Sequence, residues 1–343
     1  MEYKILKKSN VDTFIGELKT KYKFWGPKKK GKQITFGEVS SQKEMCLEDF
    51  TNSSMSPKGI FFPQSEIMLS FKKSGEQANI YKDIEISPSP KVVFGMRPCD
   101  ARAFSLLDKI FTNDQFTDNY WVSKREATTL IGLGCNAPCS TCFCTSVNSH
   151  PFDEKGLDVL ATDLGDHYLL KVLTEKGKKT LEGMSSLEDA QDSDITQQKE
   201  LSTKAEGAIT SHVSVDKIKD KSVLELYNND MWSKVYESCL NCGTCTYVCP
   251  TCHCFDVQDE VFKEGGVRIR NWDSCMSWLF TIHTTGHNPR PSKKERVRQR
   301  FMHKFKYIPV KRDGEIGCVG CGRCVTLCPV NIDIREVANL MND

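Results

Sequence analysis

Eight of the chain's 17 cysteines fall into two runs of one form, C-x₂-C-x₂-C-x₃-C-P. The first is Cys239, Cys242, Cys245 and Cys249 before Pro250; the second is Cys318, Cys321, Cys324 and Cys328 before Pro329. A [4Fe–4S] cubane needs four thiolates converging on its corners. One C-x₂-C-x₂-C loop wraps three of them, and the Cys before Pro reaches across to the neighbouring cluster. The spacing therefore assigns Cys239, Cys242, Cys245 and Cys328 to one cluster, and Cys318, Cys321, Cys324 and Cys249 to a second. Gly243, Gly320 and Gly322 lie inside the loops, where the lack of a side chain lets backbone N–H groups approach sulfur. Zinc knuckles are the competing reading, but they use paired C-x₂-C units rather than four-and-proline runs.

A second group is less regular. "GCNAPCSTCFC" carries Cys135, Cys139, Cys142 and Cys144, and four thiols this close point to a further metal site. Which four bind is open: Cys142 and Cys144 share a cluster only if the loop kinks between them, and Cys99 offers itself as another ligand. Cys252 and Cys254 follow the first run at once, and "WDSC" ends at Cys275. Together with Cys99 these three also make four, so the thiol count permits three clusters or four. In the three-cluster reading, Cys252, Cys254 and Cys275 only shape the surroundings. Of the histidines, none forms an H-E-x-x-H pair; His253, between Cys252 and Cys254, is placed to hydrogen-bond a cluster sulfur.

The elements that must position these thiols are partly readable. "NVDTFIGELKTKY" predicts an amphipathic helix with Asn10 as its cap and Val11, Phe14, Ile15 and Leu18 on the buried face. "KVVFGMRPCDARAFSLLDKIF" predicts a buried strand, a turn, and a helix with Asp100 near its start. "TTLIGLGC" predicts a second buried strand. Cys99 and Cys135 thus follow the C-terminal ends of two strands; if those strands are neighbours, both thiols face one crevice, where α/β folds commonly bind ligands. Residues from about 175 to 220 are polar and read as a solvated stretch. "VLELYNNDMWSKVYESC" predicts a helix leading into the first cysteine run, and a closing helix follows the second; the two runs form a pseudo-repeat 79 residues apart. The fold class is mixed α/β or α+β. Residues 1–220 form an N-terminal α/β domain, and 221–343 a helical, ferredoxin-like dicluster domain interrupted by an insertion at 252–315.

Composition narrows the class of function. With 47 Lys+Arg against 45 Asp+Glu the net charge is +2, which gives no reason to expect nucleic acid or an anionic membrane surface as partner. No apolar run reaches the roughly 18–20 residues of a spanning helix, and the N-terminus lacks a signal-peptide pattern. A cytoplasmic protein is expected, where clustered cysteines bind metal rather than form a disulfide scaffold. The basic runs "GPKKKGK" (26–32) and "KKERVRQR" (293–300) read as solvated faces, the second alternatively as a docking helix for an acidic partner. No G-x-G-x-x-G follows a predicted strand, and no P-loop appears. The chain carries no nicotinamide site of its own that the sequence reveals.

The segments "FGMRPCDARAFSLLD", "TCFCTS", "CLNCGTCTYVCPTCHCFDVQDE", "WDSC", "GHNPRPSKKERVRQRFMHKF" and "GCVGCGRCVTLCPVNIDIREV" resemble the iron–sulfur β subunit of cytoplasmic [NiFe] sulfhydrogenases. The A-type component of anaerobic sulfite reductases is similar but more distant around "HNPRP". The resemblance runs from about residue 57 to the end. It implies a third ligand set of Cys99, Cys135, Cys142 and Cys144, with Cys139 outside the pattern. Cys252, Cys254 and Cys275 match the family too, without a role attached. It further implies an electron-transfer subunit working between a flavin- and NAD(P)-binding diaphorase-type subunit and a catalytic oxidoreductase subunit. Alternatives are a sulfite reductase or heterodisulfide-reductase-like complex, a stand-alone enzyme with substrate at an open cluster, and a zinc-bound adaptor.

Overall fold

Strands whose residues are apolar without alternation must be covered on both faces, as in a parallel sheet flanked by helices. A computed structural model describes residues 2–48, 50–73, 81–83 and 86–343. Its strands are β1 (Glu2–Lys7), β2 (Lys23–Lys30), β3 (Gln33–Glu38), β4 (Ser65–Lys72), β5 (Tyr81–Asp83), β6 (Lys91–Met96), β7 (Thr128–Leu133), β8 (Val159–Asp163), β9 (His167–Val172), β10 (Glu188–Asp189), β11 (Phe255–Val261) and β12 (Gly265–Trp272). The helices are α1 (Val11–Lys19), α2 (Pro98–Phe111), α3 (Asn119–Glu126), α4 (Glu175–Leu181), α5 (Asp192–Gly207), α6 (Val223–Asn228), α7 (Met231–Val235), α8 (Thr244–Tyr247), α9 (Lys293–Met302), α10 (Ile308–Lys311), α11 (Arg323–Thr326) and α12 (Ile334–Asn342).

An eight-stranded sheet has the order β10-β1-β9-β8-β7-β6-β2-β3. Its centre, β2-β6-β7-β8, is parallel, and antiparallel strands close both sides. The buried runs predicted from "VVF" and "TLIGL" are β6 and β7, paired side by side. The buried face of α1, Val11, Phe14, Ile15 and Leu18, packs on one side of the sheet with Phe24 and Phe94. On the other side Phe104 and Leu107 of α2 and Trp121 of α3 pack with Phe61 and Phe62. A third core, in the C-terminal part, joins Trp232, Phe301, Met302, Phe305, Val337 and Met341.

Two expectations change. The helix predicted across "VLELYNNDMWSKVY" is two short helices, α6 and α7. Asn229 is extended and its side-chain oxygen accepts from the Met231 N–H at 2.9 Å, a local bond that ends one helix and starts the next. The segment after Cys254 is a hairpin, β11–β12, and β12 pairs antiparallel with β4 from the N-terminal half. The order of this second sheet is β11-β12-β4-β5, so the insertion is built into a sheet begun some 190 residues earlier. Among the described residues no helix is long and apolar enough to cross a membrane.

Candidate metal centre

The two cysteine runs fold alike. In each, a glycine in the left-handed region (Gly243, φ 74°; Gly322, φ 73°) starts a single helical turn, α8 or α11. Backbone amides turn toward sulfur: Asn241 N–H to Cys239 at 3.4 Å, Gly320 N–H to Cys318 at 3.5 Å, Ile332 N–H to Cys328 at 3.3 Å. Such donors favour the thiolate, the form that ligates metal. Between the loops lie two cavities. Cys239, Cys242, Cys245 and Cys328 line the first, with Cys324 also at its wall. Cys249, Cys318, Cys321 and Cys324 line the second.

Among the described residues no three Cys, His, Asp or Glu side chains converge closely enough to ligate a single ion. A structural zinc needs its ligands converged to about 2.0–2.3 Å from one centre. Sulfurs set around a cavity instead suit a multi-iron group, so the donor set and its spacing fit [4Fe–4S] clusters. Burial works against ligation and dominates the balance: the thiol of Cys318 is pushed up to about 12 and those of Cys321 and Cys245 up to about 11. Neighbouring cations oppose this, Lys304 at Cys318, Arg323 at Cys321 and Arg300 at Cys245.

The N-terminal thiols gather differently. Cys99 stands in the first turn of α2 and Cys135 just past β7, on neighbouring strands. Burial raises the thiol of Cys99, and the charges of Cys321 and Cys135 act on it; Cys144, raised to about 12 by burial, is in turn influenced by Cys135. Cys99, Cys135 and Cys144 therefore share one neighbourhood. Cys142 and Cys139, three residues apart in one loop, are joined by a disulfide, with Cα atoms 5.4 Å apart.

This region interlocks with the second ferredoxin-type loop. Phe143 N–H donates to the Gly320 carbonyl at 2.9 Å. A Cβ on Gly320 would fall 2.5 Å from the Cys144 nitrogen, and one on Gly322 2.4 Å from Thr141 Oγ1, so only glycine permits the approach. Arg323 forms a buried fork on Asp100, at 2.8 and 2.6 Å, and also reaches Ser53 and Asn52. Arg97 ties the end of β7 through the carbonyls of Leu133 and Gly134. The "RPCD" segment thus frames Cys99 with two structural charges, one on each side.

Cys252, Cys254 and Cys275 meet other cysteines of the C-terminal part. Cys252 contacts Cys249, and Cys254 contacts Cys275; the hydrogen bond from Cys275, against burial, brings Cys254 down to about 7. Lys58 donates to the Cys252 carbonyl at 2.9 Å and lies over the Trp272 ring. His253 does not turn Nδ1 to a sulfur but to the Thr251 carbonyl, 3.1 Å away, and its ring meets those of Phe111 and His303.

The basic run 293–300 is not a solvated face. Arg296, Arg298 and Arg300 of α9 are buried, as is Lys304 in the single π-helical turn (His303–Tyr307) that continues it. Arg298 stacks on Tyr227, its guanidinium carbon 3.4 Å from the ring centroid. Arg296 donates to the carbonyls of Arg290 and Pro291. The signal in the sequence was the spacing 296, 300, 304: cations four apart share one helix stripe, which can face inward as readily as outward.

Residues 238–332 match a family model for the 4Fe-4S dicluster domain. The whole chain is similar to Sulfhydrogenase 2 subunit beta of Pyrococcus furiosus, 31% identical over 340 residues that cover 98% of this chain and 97% of the relative. No solved structure matches.

Proposed function

Because this chain belongs to the sulfhydrogenase β-subunit family, we propose that it relays electrons between a flavin- and NAD(P)-binding partner subunit and a catalytic oxidoreductase subunit. The coarser statement is already secure: it is an iron–sulfur electron-transfer subunit of a sulfhydrogenase-like complex, with at least two [4Fe–4S] clusters. Cys239, Cys242, Cys245 and Cys328 hold one cluster, and Cys249, Cys318, Cys321 and Cys324 the other. The observation that supports this is the pair of cavities, each lined by three cysteines of one run and the proline-adjacent cysteine of the other, with Cys324 also at the wall of the first. When bound, such a cluster supplies reversible electron transfer at a potential set by its surroundings.

The chain's own residues do the rest. The loop amides donate to sulfur, Thr244 and Thr251 place hydroxyls 3.3 Å from Cys242 and Cys249, and Phe301, Val297 and Ile334 give the cavities apolar walls, although Cys242 itself is exposed. Cys99, Cys135 and Cys144 form a third site at the strand ends, three clusters in all, with Cys252, Cys254 and Cys275 beside the path rather than around a fourth. Three gathered thiols also leave room for the second reading, a cluster with one open position that takes substrate directly.

Anaerobic purification of the chain with its natural partners tests the relay. The complex should oxidise NAD(P)H and the isolated, cluster-loaded chain should not. NAD(P)H oxidation by the single chain at a rate comparable to the complex would sink it. A cluster spectrum that shifts when substrate is added to the single chain would favour the second reading.

A further inference from the structure

Arg300 stands between the two cavities and lines both. Its side chain is 4% exposed. One terminal nitrogen donates to the Cys245 carbonyl at 3.3 Å, while Nε, also buried, has no hydrogen-bond partner among the described residues. No carboxylate forms an ion pair with it among those residues; the charged groups that act on it are Cys245, Cys324, Cys252 and Cys249. An isolated buried cation is costly, and so is a buried donor left unpaired. The Phe301 ring, its centroid 4.7 Å from the guanidinium carbon, offsets part of this cost; the thiols of Cys245, Cys324, Cys252 and Cys249, and what they bind, are the negative groups placed to offset the rest.

Lys304, one turn further, offers the contrast. It is buried and lines the second cavity alone, and its Nζ is already satisfied by Thr251 Oγ1 at 2.7 Å and the Gly317 carbonyl at 3.2 Å. Its charge faces Cys249, Cys252 and Cys318. The stripe therefore presents one cation shared by both cavities and one that serves a single cavity.

We propose that Arg300 is a shared electrostatic positioning residue, which stabilises the reduced state of both clusters at once and so raises both potentials. The inference rests on the two-cluster reading above. Reduction adds one electron, and so one negative charge, to a cluster; a fixed cation in a low-dielectric site favours that state, and a hydrogen bond to sulfur acts in the same direction. A cation common to both cavities raises both potentials together. Lys304 adds its contribution to the second only.

The test is an EPR-monitored redox titration of the full chain, with clusters assembled anaerobically, in four forms: wild type, Arg300→Gln, Arg300→Lys and Lys304→Gln. Iron and acid-labile sulfide are counted in each. Arg300→Gln should make both clusters about tenfold harder to reduce, about 59 mV for a one-electron couple. Arg300→Lys should restore most of that shift, and Lys304→Gln should move one cluster and leave the other. Unchanged potentials in an iron-replete Arg300→Gln chain would overturn the inference, as would a shift confined to one cluster. If Arg300→Gln loses iron, Arg300→Lys decides: iron kept with near wild-type potentials supports the charge role, and iron lost despite the retained charge refutes it. A wild-type chain with fewer than about eight irons would count against the two-cluster reading itself, a result that does not depend on Arg300.

Discussion

The two cysteine territories of this molecule are built on opposite principles. In the C-terminal one, six thiols sit on two short loops of like conformation, each opened by a glycine in the left-handed region. The proline-adjacent thiols of the two runs reach across, Cys328 to the wall of the first cavity and Cys249 to that of the second. In the N-terminal territory, Cys99 and Cys135 come from separate strand ends and meet only because β6 and β7 pair, while Cys144 is set by the contact of its loop with Gly320. A loop encloses a metal group locally; strand-end thiols depend on the whole sheet and on the neighbouring domain. The first territory should therefore fail cluster by cluster, and the second should fail when the seam between the two is opened.

The largest expected effect follows from removing a ligand within a loop. Cys328→Ser should cost the chain one cluster, about four irons of the total, and leave the other spectroscopically intact, measured by iron content and low-temperature EPR. Loss of both, or of neither, would mean that the exchange of ligands between loops is wrongly drawn. Next is the seam. Arg323→Ala leaves Asp100 buried without its cation, with the Ser56 hydroxyl still donating to it at 3.0 Å, and breaking a buried pair from one side costs about 3–5 kcal/mol; both side chains are almost wholly buried here, at 3% and 1% exposure. Thermal unfolding of the loaded chain should shift down accordingly. The signal from the strand-end site should weaken before that of the two loop clusters.

The internal arrangement of the strand-end site gives a sharper and smaller effect. Cys135→Ser should reduce the iron bound beyond the two loop clusters. Cys142→Ser should not, since Cys142 is bonded to Cys139. Equal losses in the two variants would return Cys142 to the ligand set. The smallest effect is in acid. Burial, with His253 and Lys304 nearby, lowers His303 to about 3. Its folded value lies below the ordinary histidine value of about 6.5. As pH falls from there toward 3, the unfolded chain takes up a proton that the folded chain refuses, so stability declines. His303→Gln should flatten the melting temperature between pH 7 and pH 5 relative to wild type.

Much of the scaffold was legible because its signals are local. Val11, Phe14, Ile15 and Leu18 repeat at helical spacing and form the buried face of α1; the unbroken apolar runs are the parallel strands β6 and β7. The dicluster character of the C-terminal part was legible from the cysteine spacing for the same reason. What stayed hidden depends on distant partners. "FDVQDEV" and "VRIRNW" alternate with the period of strands, but nothing in them says that β12 will join β4. Asp100 reads as a residue near a helix start, while its partner Arg323 is 223 positions away. "KKERVRQR" looks solvated because charge runs usually are; its arginines are buried because each meets its own partner, Arg296 the carbonyls of Arg290 and Pro291, Arg298 the Tyr227 ring and Arg300 the cysteine cavities, and a pattern of charges does not reveal such neighbours.

The central claim is that two exchanged cysteine runs enclose two cubanes, and metal analysis of the anaerobically purified full chain tests it most directly. At least about eight irons and eight acid-labile sulfides per chain are expected, falling by about four of each in Cys328→Ser. Zinc without labile sulfide would contradict it.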